Sequence, residues 1–300
     1  MTTITTTTPR LNLSSSPGSG SSLWRDAFYR MARNRAAVIS AFFLLVLVLA
    51  AVFAEIIAPH DPNAVDFTAL RQPPSPTHLM GTDEIGRDIF SRVIFGARIS
   101  LTVGFIVQTT ATVTGIFLGM IAGYYGGTAD MVIMRAVDIM YALPAFLFAV
   151  FMVSILTPSV NSVILTLALV SWPLMARLMR GQVLALKQED YVLAARALGA
   201  RNWQIMLFHI LPNSLTPLIV QFTLGIATVI MAEAGLSFLG IGIRPPTPTW
   251  GGMITKGREF IRTEPHMALY PGIVLGLTMI AFNFLGDGLR DALDPRMRKS

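Results

Sequence analysis

The sequence predicts an all-α membrane protein with six transmembrane helices. Only 13% of its 300 residues are charged and 53% are hydrophobic, whereas about 25% of the residues of a soluble domain are charged. Several apolar windows reach the length of about 20 residues that a helix needs to cross a hydrocarbon core. Lysine and arginine lie mainly at the edges of these windows, which is typical of membrane proteins.

The N-terminal part contains a polar tail and the first span. Residues 1–22 are rich in Thr, Ser, Pro and Gly, and such a segment is predicted to be a disordered cytoplasmic tail. Residues 23–58 combine a basic amphipathic lead-in with an apolar run over 36–58. As a helix this run is about 34 Å long. The apolar run of a cleaved signal peptide has only about 7–15 residues, so we expect 36–58 to remain as the first transmembrane helix.

The remaining apolar windows predict five more spans. Residues 59–98 are expected to form an extracytoplasmic segment, and 99–298 a transmembrane core that includes a cytoplasmic loop at 181–211. The spans are predicted at 99–124, 131–157, 160–180, 212–241 and 267–288.

The distribution of basic residues predicts that both termini are cytoplasmic. An even number of spans puts the termini on one side, and fifteen of the 23 Lys and Arg residues then lie inside, as the positive-inside rule requires. These residues are Arg10, Arg25, Arg30, Arg33, Arg35, Arg135, Arg177, Arg180, Lys187, Arg196, Arg201, Arg290, Arg296, Arg298 and Lys299.

Asp138 and Glu233 fall within predicted spans, and Glu55 lies near the end of one. Acidic residues are costly in a membrane and usually mark a pathway or a buried partner. Asp138 has Arg135 one helical turn before it, so either a local ion pair or a transport role is open. Glu233 has no partner nearby in the sequence and is a candidate to line a solute path.

Two sets of glycines form small-xxx-small patterns. Gly115, Gly119 and Gly123 make one set, and Gly272 with Gly276 makes the other. Such faces let helix backbones approach closely in lipid. They predict packing within this chain or, alternatively, an interface with another subunit.

The sequence lacks the residue patterns of several kinds of site. The chain has no cysteine, and the spacing of His60, His78, His209 and His266 matches no metal-binding motif. None of its three lysines follows the glycine pattern of a nucleotide-binding P-loop. The basic residues form no patch with interleaved aromatics, so we expect no nucleic-acid partner. We predict no catalytic residue, metal or cofactor in this chain.

The segment 188–212 is predicted to form two short helices that meet at Gly199. Glu189 and Asp190 favour the start of the first helix through its dipole, and a glycine suits its end. Asn202 is a candidate N-cap for the second helix, and Pro212 suits the first turn of the next span. Ala194 and Ala195 leave a shallow surface on which another protein could pack.

The spacing of this segment resembles the "EAA" loop of binding-protein-dependent ABC importer permeases. That motif has Glu-Ala-Ala, three residues, Gly, nine residues and Ile-x-Leu-Pro, which Ala194-Ala195, Gly199 and Leu211-Pro212 match. Leu193 replaces the Glu of the motif, and His209 replaces the Ile.

Further segments resemble the peptide/nickel branch of that family, in particular the second permease of dipeptide, oligopeptide and glutathione importers. They are Leu79–Arg92, Gly96–Leu101, Leu236–Gly240, Arg244–Gly251 and Asn283–Arg296. The resemblance implies a type I ABC importer permease fold in the bacterial cytoplasmic membrane. It also implies a homologous permease subunit, two cytoplasmic ATPases and an extracytoplasmic solute-binding protein as partners.

The resemblance implies a permease subunit that forms the translocation path for di- or oligopeptides, with ATP hydrolysed by other subunits. A nickel or glutathione importer remains an alternative, as does an ion-coupled secondary transporter, which would leave the loop motif unexplained. The expected ATPase-coupling residues are Glu189, Asp190, Tyr191, Ala194, Ala195, Gly199, Leu211 and Pro212. Asp138 and Glu233 are the candidate path residues.

Overall fold

The computed structural model describes residues 29–293, and this part of the chain is helical without β-strands. A helical stretch at 29–33 precedes the longer elements. These are α1 (Arg35–Val52), α2 (Ala54–Ile57), α3 (Ile89–Tyr125), α4 (Gly127–Ala142), α5 (Ala145–Ile155), α6 (Val160–Leu186), α7 (Asp190–Ala197), α8 (Asn202–Phe238), α9 (Trp250–Arg258) and α10 (His266–Leu293). The predicted tail 1–22 and the end of the predicted core, 294–298, lie outside the described residues.

Five of these helices are long and apolar enough to cross a membrane: α1, α3, α6, α8 and α10. The sixth predicted span, 131–157, is instead the pair α4 and α5, bent by 87° at their junction. Pro144 explains the bend, because proline has no N–H to continue a helix and drives the preceding residue to extended geometry. Leu143 is extended, with φ −98° and ψ 136°.

Several helices extend beyond the predicted spans. Helix α3 begins at Ile89, ten residues before the predicted start, where the Asp88 carboxylate accepts the N–H of Ser91 as an N-cap. At 1.5 Å per residue its 37 residues span about 55 Å, far more than a hydrocarbon core of about 30 Å. Helix α6 likewise runs on to Leu186, and α8 begins at Asn202 rather than 212. The apolar windows therefore do not mark where the helices end.

Helices α3 and α6 approach most closely where the first glycine set lies. A side chain on Gly115 would meet Met175 and Trp172, one on Gly119 would meet the Ala176 carbonyl, and one on Gly123 would meet Val183. The three glycines therefore serve packing within this chain. No neighbouring atom lies within 4 Å of a Cβ built on Gly272 or Gly276 among the described residues, so α10 leaves that glycine face uncovered.

The two ends of the bundle differ. Helices α3 and α6 end near the loop that carries α7, as shown by the hydrogen bond from Lys187 Nζ to the Gly123 carbonyl, 3.0 Å. Residues 58–88 and 239–265, called the distal end below, lie at the opposite end of α3. There the buried Trp250 indole donates to the Val93 carbonyl, 3.1 Å, which fixes α9 against the start of α3.

Gly119→Ala should destabilise the isolated chain by about 1–3 kcal/mol, because the added methyl group meets backbone rather than a movable side chain. Gly276→Ala is the matched control, since the same methyl group enters open space. Thermal unfolding of the purified chain in detergent measures both changes. Equal effects of the two substitutions would contradict the packing described here.

Candidate functional site

Helix α7 and the turn after it form the first half of the predicted coupling segment. Glu189 precedes the helix as its N-cap residue and Asp190 lies in its first turn, where negative charge is favoured by the helix dipole. Gly199 has φ +84°, which confirms the predicted left-handed end. The N–H of Gly199 bonds to the Arg196 carbonyl and that of Ala200 to the Ala195 carbonyl, the pattern of a Schellman motif.

The second half differs from the prediction in its capping. Arg201, not Asn202, is the N-cap residue, and its N–H donates to the Gln204 side-chain oxygen, 2.8 Å. The Asn202 side chain is instead used for tertiary structure, because its oxygen accepts the hydroxyl hydrogen of Tyr124 at the end of α3, 2.9 Å.

The segment then joins the membrane span without a break. Residues Ile205–Ile210 form a π-helical stretch inside α8, a feature common at functional sites. Pro212 therefore lies within a continuous helix rather than opening one. The 202–210 segment and the span that follows are therefore parts of one helix.

Two buried residues attach the segment to the bundle. Val192 of α7 and Ile205 of α8 have no exposed surface, and they pack in one cluster with Met120 of α3 and with Met179 and Val183 of α6. Their burial holds the loop in one position against α3 and α6. The segment is thus mounted on the bundle and is not a free connector.

The opposite side of the segment exposes apolar side chains. Leu198 is 88% exposed, and Trp203 and Phe208 are also exposed, with their rings edge-to-face at 6.0 Å. We call the exposed set the apolar face: Tyr191, Leu193, Leu198, Trp203, Leu207 and Phe208. Exposed apolar groups rimmed by charge mark interaction sites, and Arg196 and Arg201 supply such charges here.

The predicted coupling residues divide between this surface and its support. Glu189, Asp190, Tyr191, Ala194, Gly199 and Pro212 are exposed, while Ala195 and Leu211 are half-buried. Partial burial, together with the Glu189 carboxylate, raises the pKa of the Tyr191 phenol, so its hydroxyl stays neutral. Their role in coupling remains a prediction.

The predicted coupling residues did not include Leu198 and Trp203, two large apolar residues that the structure exposes. Both lie among many other apolar residues of the loop, so the sequence gives no signal that these two are exposed. Val192 and Ile205 were also missed. Their burial depends on contacts with α3 and α6, which no local pattern reveals.

Asp138 pairs with a residue other than the one the sequence suggested. Its carboxylate lies 2.7 Å from the Arg177 guanidinium of α6, not against Arg135. Asp130 forms a second, two-pronged pair with Arg180 of the same helix. The two pairs tie α4 to α6, and both partners of the Asp138 pair remain about half exposed. A transport role for Asp138 stays a prediction.

Glu233 is enclosed within the chain. Its side chain has no exposed surface, and it accepts hydrogen bonds from Ser237, 2.9 Å, and from Ser100 of α3, 3.3 Å. Ser237 lies one turn further along the same helix, so a partner nearby in the sequence exists after all. Here Glu233 links α8 to α3, and its place on a solute path stays a prediction.

Comparison with known proteins gives a consistent result. The family model "binding-protein-dependent transport system inner membrane component" matches residues 115–299, and the "N-terminal TM domain of oligopeptide transport permease C" matches 22–74. A dipeptide transport system permease of Alkalihalophilus pseudofirmus is 44% identical over 92% of this chain and 90% of its own length. A glutathione transport system permease of Pectobacterium atrosepticum is 42% identical over 92% of each chain.

The fold resembles that of solved importer structures. The inward-facing MetNI methionine ABC transporter matches with a TM-score of 0.57 and 18% identity, over 69% of this chain and 98% of that chain. At this identity the match supports the fold, which is that of type I importer permeases. With both family models and these relatives covering nearly the whole chain, the protein belongs to the inner-membrane permeases of binding-protein-dependent ABC importers, as a multi-pass membrane subunit.

Proposed function

We propose that the chain is one of two permease subunits of an ATP-driven importer for dipeptides, glutathione or related small peptides. Two curated relatives above 40% identity are named as dipeptide and glutathione permeases, which supports this solute class. A nickel importer is the alternative within the branch. An ion-coupled secondary transporter is disfavoured because it needs no partner protein that would cover the apolar face.

The observation that carries the proposal is the combination of a fixed mounting and an exposed apolar surface in residues 190–208. Val192 and Ile205 hold the segment to α3 and α6, while Leu198 projects outward. A protein that docks on Leu198 therefore pushes on the bundle rather than on a flexible loop. We infer that the docked partner is a cytoplasmic ATPase subunit.

Coupling follows from this geometry. Closure of two ATPases on ATP displaces the apolar face, and the continuous helix α8 carries that displacement into the membrane. The bundle and its paired permease then switch the solute cavity between outward and inward access. Both ATP and solute bias this two-state element, which is the condition for coupling between distant sites.

The other partners are assigned by position. The uncovered face of α10 at Gly272 and Gly276 suits a second permease, because small residues let helices from two subunits pack closely. The positive-inside distribution favours a cytoplasmic location for the end of the bundle that carries α7. The distal end then faces outward. Its residues 58–88 and 239–265 then form the surface on which a solute-binding protein docks.

Leu198→Asp should weaken association with the ATPase subunits about tenfold or more, because a charge replaces an apolar side chain at the centre of the proposed contact. The measurement is co-purification of the ATPases with the permease pair. Leu79→Asp is the matched control, since it makes the same change on an exposed leucine at the distal end and should leave association unchanged. Equal loss, or no loss, in both variants would reject the docking surface.

Gly199→Val should also impair the contact with the ATPase. At φ +84° a β-branched residue strains the backbone by roughly 1–2 kcal/mol. Asparagine tolerates this conformation, so Gly199→Asn is the matched control. Solute-stimulated ATP hydrolysis in vesicles should fall in the valine variant and persist in the asparagine variant. Because no neighbouring atom lies within 4 Å of the built Cβ, the spans should insert normally in both; equal activity would remove the backbone argument.

Reconstitution tests the overall function. Vesicles with this chain, its paired permease, ATPases and receptor should accumulate labelled dipeptide or glutathione only with ATP, and a protonophore should not abolish the uptake. Vesicles with the chain alone are the control. Uptake by the chain alone along a proton gradient would favour the secondary transporter instead.

A further inference from the structure

Two histidines and an aspartate come together at the distal end. His60 follows α2, His78 lies in the connection to α3, and Asp88 is the N-cap residue of α3. The ligand atoms of all three lie within 4.8 Å of one another. The segments are distant enough in sequence that no spacing motif reveals the group.

The aspartate is held ready to bind a ligand. Its Oδ2 accepts two hydrogen bonds from Ser91, from the N–H at 2.8 Å and the hydroxyl at 2.7 Å. Its Oδ1 lies 3.0 Å from His78 Nδ1, and the carboxylate is 1% exposed. Carboxylates that ligate a metal are typically held by hydrogen bonds in this way.

The segment that carries His60 is also fixed in place. The His60 N–H donates to the Ser91 hydroxyl oxygen, 3.2 Å. The buried Arg92 side chain donates to the Pro62 carbonyl, 2.7 Å. The backbone on both sides of His60 is therefore tied to the start of α3, and only the imidazole ring needs to turn for its nitrogen to change position.

A simple ion pair does not account for the arrangement. Asp88 contacts His78 directly, yet the His60 ring also stacks on the His78 ring, with centroids 4.8 Å apart, and its Nδ1 lies 3.9 Å from Asp88 Oδ2. Two imidazoles beside one carboxylate form a ligand set that Zn²⁺ favours.

We propose that His60, His78 and Asp88 bind a divalent transition metal of the Zn²⁺ class, with water in the remaining position. A metal about 2.0–2.1 Å from each ligand fits between His78 Nδ1 and Asp88 Oδ1. Binding needs the lone pair of Nδ1, so the His78 ring then carries its hydrogen on Nε2. The His60 side chain, 40% exposed, closes on the metal from the solvent side.

The metal would act as a clamp between spans. It joins the segment that follows the first span to the N-cap of α3 and to the connection between them. Ser91 and Arg92 hold the His60 segment by hydrogen bonds, and the His78 segment is held through Gly81, whose N–H bonds to the His78 carbonyl and whose carbonyl accepts the Ile89 N–H. The clamp therefore fixes the distal end where the proposed receptor surface lies.

Metal binding can be measured directly because the chain has few other side chains that ligate zinc. The chain has four histidines and no cysteine, so the full-length protein, purified in detergent with a histidine-free affinity tag, offers few competing ligands. Zn²⁺ alone is titrated by calorimetry, and Co²⁺ is titrated by its visible absorption, which reports nitrogen and oxygen ligation. We expect one metal per chain, and a higher unfolding temperature when zinc is present.

His60→Gln and His78→Gln should each weaken metal binding tenfold or more and abolish the thermal shift, while His209→Gln, which changes a histidine at the other end of the molecule, should preserve both. Asp88 is left unchanged because it caps α3. His60 is partly exposed, so its variant keeps the fold, as unfolding of the metal-free protein would show. Absence of saturable binding to the wild type, or binding by both site variants as tight as that of the wild type, would overturn the proposal.

Discussion

The close approach of α3 and α6 is the constraint on which the rest of the structure depends. Gly115, Gly119 and Gly123 remove the side chains that would separate the two helices. In lipid, where apolar burial gives little drive, this contact gains its stability from dispersion between closely spaced backbones. The pair then forms the surface into which Val192 and Ile205 pack, and it supplies the arginines that hold α4.

Helix α3 connects the two ends of the molecule at which sites are proposed. Its first residues follow Asp88 and carry Ser91 and Arg92, which bond to Asp88, His60 and Pro62. Its last turn carries Gly123 and Tyr124, which hold Lys187 and Asn202 of the coupling segment. A change at either end therefore acts on the same rigid element. Helix α8 provides a second connection, through Glu233 and its bond to Ser100 of α3.

The parts of the fold that follow from local chemistry were predictable from the sequence. Long apolar windows gave five spans, and Gly199 takes the left-handed conformation expected of it. Helix ends were less predictable, because the Asp88 cap starts α3 well outside the apolar window. Pro144 lies within a predicted span, but hydropathy carries no information about bends, so the bend was not predicted.

Features that depend on tertiary contacts were not predictable. Asp138 finds Arg177 across two helices instead of Arg135 one turn away, since the packing of α4 on α6 decides which guanidinium is near. Asn202 is diverted from capping by Tyr124 for the same reason. The distal histidines show the limit most clearly, because three separate segments contribute to one cluster.

We propose that Leu198 and its neighbours contact an ATPase subunit directly. Because the chain lacks cysteine, a single cysteine at 198 carrying a photoactivatable cross-linker reports its neighbour in the assembled importer. We expect a cross-link to an ATPase subunit at 198, and none from a cysteine placed at Thr247 of the distal end. Cross-linking of the ATPase from 247, or its absence at 198 in an assembly that hydrolyses ATP, would contradict it.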